Sequence, residues 1–158
     1  MQMQKISPFL WFDTQAEEAV NFYTSIFRNS RIGSVTRYGE AGPGPAGSVM
    51  VAQFELEGLR FTALNGGPMF KFTEAISMVV DCKDQAEVDH YWYALSEGGQ
   101  PGQCGWLKDK FGLSWQIVPE ALPRLLSDPD GAKADRVMQA MLLMTRIEVA
   151  KLEAASAG

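Results

Sequence analysis

The chain has 158 residues, 46% of them hydrophobic, and a formal net charge of −5. A chain this long buries about 68–70% of its unfolded surface without needing disulfides, is too apolar to be disordered, and lacks the basic patch of a nucleic-acid binder. No stretch approaches the ~18 apolar residues of a membrane span, MQMQKISPF lacks secretory-signal architecture, and two cysteines are too few for a disulfide scaffold, so a cytoplasmic protein with no membrane partner is expected.

KISPFLWF at 5–12 is an apolar, aromatic run that predicts a buried strand. Asp13 or Thr14 is placed to cap the next segment, with Glu17 in capping-box position. Ala16, Ala19, Val20, Tyr23 and Phe27 then fall at helical spacing. Strands are predicted at 31–39, 48–57 and 58–64, with the AGPGPAG loop between the first two and a tight turn at Glu57-Gly58. A strand at 75–81, a helix at 85–97, a Gly-rich loop at 98–102 and strands near 103–108 and 113–118 follow. Pro119 ends the last strand, a short helix is expected at 120–127, and Ser127–Gly131 breaks it. From Ala132 to Ala155 the apolar steps through Val137, Met141 and Met144 predict one long helix, with its methionines in core or subunit packing.

The chain repeats itself. Ile6-Ser7, Gln15-Ala16-Glu17 and Phe22-Tyr23 return as Ile76-Ser77, Gln85-Ala86-Glu87 and Trp92-Tyr93, all 70 residues later. Gly58-Leu59-Arg60-Phe61-Thr62 is echoed by Gly112-Leu113-Ser114-Trp115-Gln116 at an offset of 54. The second unit is therefore shorter by ~16 residues, enough for one strand and its turn. The fold class expected is α+β: two βαβββ-type modules, 5–67 and a shortened 74–119, form a curved mixed sheet around a cleft. A helical segment at 120–155 completes a single domain over 1–158.

This duplicated unit resembles the vicinal oxygen chelate superfamily, which groups glyoxalases, bleomycin-resistance proteins and extradiol dioxygenases. The blocks LWFDTQAEEAVNFYTSIF, LNGGPMFKFTEAIS and CGWLKDKFGLSWQIVP are similar to its PhnB-like branch, often labelled 3-demethylubiquinone-9 3-methyltransferase. The resemblance spans about 5–147 and implies paired modules enclosing a cleft, usually in a homodimer. It also implies, for the superfamily's metal enzymes, His and Glu ligands on the first and last strands of each module. Counting the family spacing from Asp13, Gly58 and Gly112 and across the repeat, those positions hold Ile6, Thr62, Ile76 and Gln116, and none is a strong ligand. Glu74 would reach inward only if the register slipped. His90 belongs to the second helix, and Cys82 and Cys104 have no visible activating neighbour, so packing is the reading for all three. The loop Leu64-Asn65-Gly66-Gly67-Pro68 follows a late strand and leads to another, which is the wrong context for an S-adenosylmethionine site.

Strand alternation turns Ser114, Gln116 and Val118 toward the cleft, and Trp115 and Ile117 toward the helix. By the same rule Arg60, Thr62 and Leu64 line it, joined by Ile6, Pro8, Leu10 and Phe12 and, across from them, Ile76, Met78 and Val80. Trp106 and Lys108 form a rim, and Trp11 is core. The expected binding set is Phe12, Arg60, Thr62, Leu64, Met78, Trp106, Ser114 and Gln116, with no metal and no cofactor. The function expected is metal-free binding of a small molecule. The alternatives are an enzyme with unusual metal ligands and a structural or regulatory dimer whose cleft is a closed seam, with methyl transfer disfavoured.

Overall fold

A helix whose apolar residues recur every three or four positions must bury one side. Ala16, Ala19, Val20, Tyr23 and Ile26 do so along α1 (Ala16–Ile26). The structure is a computed structural model that describes residues 4–158 and divides into two compact units, the first ending at Phe72 and the second starting at Thr73. In the first, β1 (Phe9–Phe12), β2 (Ser30–Arg37), β3 (Val49–Leu56) and β4 (Leu59–Asn65) form one sheet in the order β1-β4-β3-β2. β1 runs parallel to β4, and β3 is antiparallel to β4 and β2. The second unit repeats this plan with β5 (Ser77–Cys82), α2 (Gln85–Ser96), β6 (Gln100–Pro101), β7 (Trp106–Lys108) and β8 (Ser114–Pro119), ordered β5-β8-β7-β6. The α+β class and the duplication stand as expected.

One expectation about the repeat does not stand. The second unit has kept all four strands, so its length deficit did not remove one. β2 and β3 have eight residues each, whereas β6 and β7 have two and three. Even so brief a strand pairs, Gln100 with Lys108 and Pro101 with Leu107. The shortening falls on strand length and on the connection that 38–48 provides in the first unit.

The two helices begin by different means. Neither Asp13 nor Thr14 caps α1: the Ala16 N–H donates to Asn65 Oδ1 at 2.8 Å, so a side chain from the end of β4 satisfies the helix start. Asn65 Nδ2 also donates to the Val49 carbonyl, and the Tyr38 hydroxyl donates to the Asn65 carbonyl. In α2 the local motif does form: Asp84 accepts from the Glu87 N–H, and Glu87 accepts in return from the Lys83 N–H.

Each sheet packs one face on its helix. In the first unit Tyr23 stacks on Phe54, and Phe54 on Phe61, with centroids 6.1 and 5.1 Å apart. In the second, Val88, Trp92 and Leu95 of α2 and Leu107, Trp115 and Ile117 of the sheet are buried. The C-terminal segment holds α3 (Ala121–Leu126), α4 (Gly131–Leu142) and α5 (Val149–Ala157), so the expected continuous helix over 132–155 is two helices. The break is tertiary in origin. Met144 and Thr145 turn their carbonyls to the N–H groups of Cys104 and Gly105, and the Gln85 side chain bonds the Ile147 carbonyl and the Val149 N–H. These bonds, with Arg146 paired to Asp89 and Ile147 fully buried, outweigh the local preference for helix. Ala121, Leu122, Leu125, Val137, Met144, Ile147 and Leu152 form a small core of their own. Among the described residues no helix is long and apolar enough to cross a membrane.

Candidate functional site

Residues that pair across neighbouring strands project to the same side of a sheet, so the register assigns each side chain a face. In β4, Phe61 and Ala63 are buried against α1, and Arg60, Thr62 and Leu64 lie half-buried on the far face, as alternation predicts. In β8, Trp115 and Ile117 are buried against α2, and Ser114, Gln116 and Val118 take the far face. The first strands of the two units are shifted from expectation. Phe9 pairs with Thr62 and Trp11 with Leu64, whereas Leu10 pairs with Ala63 and Phe12 with Asn65. Phe12 is therefore 3% exposed on the helix side, and Trp11, expected in the core, lies on the far face with its indole N–H donating to the Gly67 carbonyl. Likewise Val79 pairs with Gln116, and Met78 and Val80 sit beside Trp115 and Ile117 on the helix side. Phe12 and Met78, with Leu10 and Val80, leave the expected far-face set; Phe9, Trp11, Ser77, Val79 and Asp81 replace them. No pattern in FLWF separates the faces, because that strand carries apolar side chains on each side. In SMVVDC, Ser77 and Asp81 do mark the far face, a signal that counting back from Asp13 and across the repeat overrode. Val118, although on the far face, packs against the C-terminal core.

The corrected register bears on the metal that the superfamily resemblance implies. Ile6 and Ile76 lie ahead of β1 and β5, and the first-strand residues that stand beside Thr62 and Gln116 are Phe9 and Val79, which keep the offset of 70 residues. Phe9 and Val79 are exposed hydrocarbon, and Thr62 and Gln116 are neutral. Such a set does not fit a divalent ion, which is held by imidazole, thiolate or carboxylate. Among the described residues no group of three His, Cys, Asp or Glu side chains could hold one. Glu74 instead pairs with Lys108, whose hydrogen bond lowers the Glu74 carboxyl below its ordinary value. His90 lies exposed on α2 in edge contact with Tyr91.

The far face of the first unit is a set of satisfied polar rows. Arg31 binds Glu55 through two bonds of 3.1 Å, and Glu55 is in register with Arg60. Arg60 donates one guanidinium N–H to the Gln4 carbonyl at 3.0 Å. The LNGGP loop is likewise used structurally. Gly66 and Gly67 donate their N–H groups to the carbonyls of Phe12 and Asp13, and a Cβ on Gly66 would fall 2.4 Å from the Trp11 ring. Beside this loop a pocket of ≈ 250 Å³ is lined by Asp13, Tyr38, Ser48 and Asn65 among others.

The second unit differs in one respect. Ser77, Ser114 and Lys108 form one row across β5, β8 and β7, and Val79, Gln116 and Trp106 form the next. Gln116 Nε2 donates to Ser77 Oγ at 2.9 Å, whereas Ser114, 1% exposed, has a hydroxyl with no hydrogen-bond partner among the described residues. Such a group costs about 1–3 kcal/mol in desolvation unless something answers it. Ser114 lines a pocket of ≈ 150 Å³ with Trp106, Lys108, Glu74, Gln100 and Pro101, far above the ~10–15 Å³ that one water requires. The row is held in place by Asp109, 2% exposed, at the turn between Lys108 and Ser114. Its carboxylate accepts from the N–H groups of Phe111 and Leu113 and from the Trp115 indole. Gly112, at φ +91°, completes that turn in a backbone conformation that only glycine adopts without strain. Sequence reasoning placed Trp106, Ser114 and Gln116 here but named Lys108 only as rim and Glu74 only as a conditional ligand.

The comparisons with known proteins agree with this architecture. A family model described as 3-demethylubiquinone-9 3-methyltransferase matches residues 4–118. A Bacillus cereus PhnB protein, described as a putative 3-demethylubiquinone-9 3-methyltransferase, is 41% identical, with a TM-score of 0.67 over 73% of this chain and 99% of its own. Protein PA1353 of Pseudomonas aeruginosa has a TM-score of 0.63 at 22% identity, covering 75% of this chain and 98% of that one. The Listeria monocytogenes fosfomycin resistance protein FosX, solved with Mn(II) and sulfate, has a TM-score of 0.54 at 15% identity over 74% of this chain and 92% of its own, a likeness of fold. No curated protein matches the chain.

Proposed function

The chain belongs to the 3-demethylubiquinone-9 3-methyltransferase (PhnB-like) family, built on the vicinal oxygen chelate scaffold, and on that premise we propose that it binds a small organic molecule without a metal ion. The observation that carries this reading is Ser114: a buried hydroxyl without a partner, lining a pocket beside a tryptophan and a lysine. Ligand sites combine apolar surface with a few polar groups that fix orientation. Trp106 and Pro101 supply the first here, and Ser114, Lys108 and Gln100 the second. Neither the positions that the family spacing reaches, Ile6, Thr62, Ile76 and Gln116, nor their first-strand neighbours Phe9 and Val79 carry an imidazole, thiolate or carboxylate. Methyl transfer is disfavoured, because the glycine loop that would have to cradle a cofactor spends two N–H groups on β1 and its following turn.

A panel of small organic molecules read by thermal shift tests the proposal, with and without added Mn²⁺, Ni²⁺ and Zn²⁺. Binding to the native state must raise the melting temperature. Stabilisation in the absence of divalent ions, diminished in Trp106→Ala, is expected. Stabilisation that requires an ion would favour an enzyme with unforeseen ligands. No shift across the panel would favour a sheet face that is packing alone.

A further inference from the structure

We propose that the Ser114 pocket takes the carboxylate of a small organic acid, held by Lys108 and Ser114, and that Glu74 is an internal substitute which such a ligand displaces. This rests on the pocket being the binding site. Three observations carry it. First, Ser114 and Lys108 are register partners across β8 and β7 and line the same pocket, so a hydroxyl donor and a lysine side chain arise from neighbouring positions on one face of the sheet. Two donors so arranged match the two oxygens of one carboxylate, which accepts hydrogen bonds and donates none. Second, Lys108 already holds a carboxylate: Glu74, which lines the same pocket, is its ion-pair partner. Third, that pair is only partly covered, with side-chain exposures of 41% for Lys108 and 59% for Glu74. Ion pairs this exposed are weak and exchangeable, whereas the Ser114 hydroxyl is left unanswered while Glu74 is in place. An incoming acid would satisfy Lys108 as Glu74 does and Ser114 as Glu74 does not. Trp106 and Pro101 offer flat apolar surface for the remainder of the molecule, so the fitting class is an organic acid with an apolar body.

The test compares benzoate with its uncharged counterpart benzamide, titrated at constant ionic strength into wild-type protein and four variants, Glu74→Gln, Lys108→Met, Ser114→Ala and Trp106→Ala, with circular dichroism confirming that each is folded. Glu74→Gln removes the competing carboxylate and should tighten benzoate binding by about two- to fivefold, the range set by an exposed ion pair. Lys108→Met and Ser114→Ala should each weaken it by at least about twofold. Benzamide should bind weakly and ignore Glu74→Gln. Benzoate affinity unchanged or reduced in Glu74→Gln, or benzamide bound as well as benzoate, would overturn the inference. If neutral molecules bind in a Trp106-dependent way while benzoate binds no variant, the pocket stands as a ligand site and the acid assignment falls. If neither charged nor neutral molecules bind any variant, the site itself falls.

Discussion

Val79 stands beside Gln116 in the parallel pair of β5 and β8, as Phe9 stands beside Thr62 in the parallel pair of β1 and β4. This relationship decides which side chains face away from the helices in both units, because a shift of one residue would exchange the faces of the whole strand. It makes Val79, 53% exposed, a far-face residue and Ile117, fully buried, a core one. Ile117→Ala should therefore cost about 2–5 kcal/mol in urea unfolding, and Val79→Ala no more than ~0.5 kcal/mol. Comparable losses from the two would show that Val79 is not on the far face.

Ser114→Ala removes a hydroxyl that gains nothing within the protein. Urea denaturation should find the variant as stable as wild type, or more stable by up to ~1 kcal/mol, because a desolvated donor without a partner is a cost to folding. Gln116→Ala should also be tolerated, since its single side-chain bond, to Ser77, is half-exposed. A loss above ~2 kcal/mol for Ser114→Ala would mean that its hydroxyl is satisfied in the folded protein.

Asp109 is the opposite case, a buried carboxylate answered by three donors. Asp109→Ala would remove the carboxylate that accepts from the Phe111 and Leu113 N–H groups and the Trp115 indole, and we expect a loss of about 3 kcal/mol or more. Because Asp109 holds the turn between Lys108 and Ser114, ligand-induced stabilisation should fall in any variant that still folds. Unchanged stability would show that the turn is fixed by backbone alone.

Burial, reinforced by Glu87, Asp81 and Asp84 nearby, pushes the Cys82 thiol up to about 12 from an ordinary value of 9.0. Below pH 9.0 both folded and unfolded chains keep the proton; between 9.0 and about 12 only the folded chain does. Stability conferred by this group is thus intact below that window and declines as pH rises through it. Denaturation midpoints at pH ~8 and ~11 should fall further for wild type than for Cys82→Ala. In native protein, thiol reagents should modify the partly exposed Cys104 and spare Cys82.

Much of this was legible in the residues. The 70- and 54-residue echoes announced a strand–helix–strand plan used twice, and the periodicity of Ala16, Ala19, Val20 and Tyr23 located α1 within two residues. Alternation sorted β4 and β8 correctly, because polar residues mark their far faces. It failed in β1, where Phe9, Leu10, Trp11 and Phe12 look alike and only pairing with β4 tells the faces apart, and in β5, where the parity was carried over from Asp13 through the repeat although Ser77 and Asp81 mark the far face. The helix break after Leu143 was hidden for a related reason. Its cause is a set of bonds from Gln85, Cys104 and Gly105, remote in sequence. The unanswered Ser114 hydroxyl and the Glu74–Lys108 pair arise from tertiary placement, which no local pattern encodes.

The central claim is that the second unit holds a small molecule without the help of a metal ion. Calorimetric titration of chelator-treated protein with the strongest stabiliser from the small-molecule panel tests it most directly. We predict saturable binding near one molecule per chain, unaltered by chelator and much weakened in the Trp106→Ala variant. Binding that vanishes with the chelator and returns with Mn²⁺, Ni²⁺ or Zn²⁺ would contradict it.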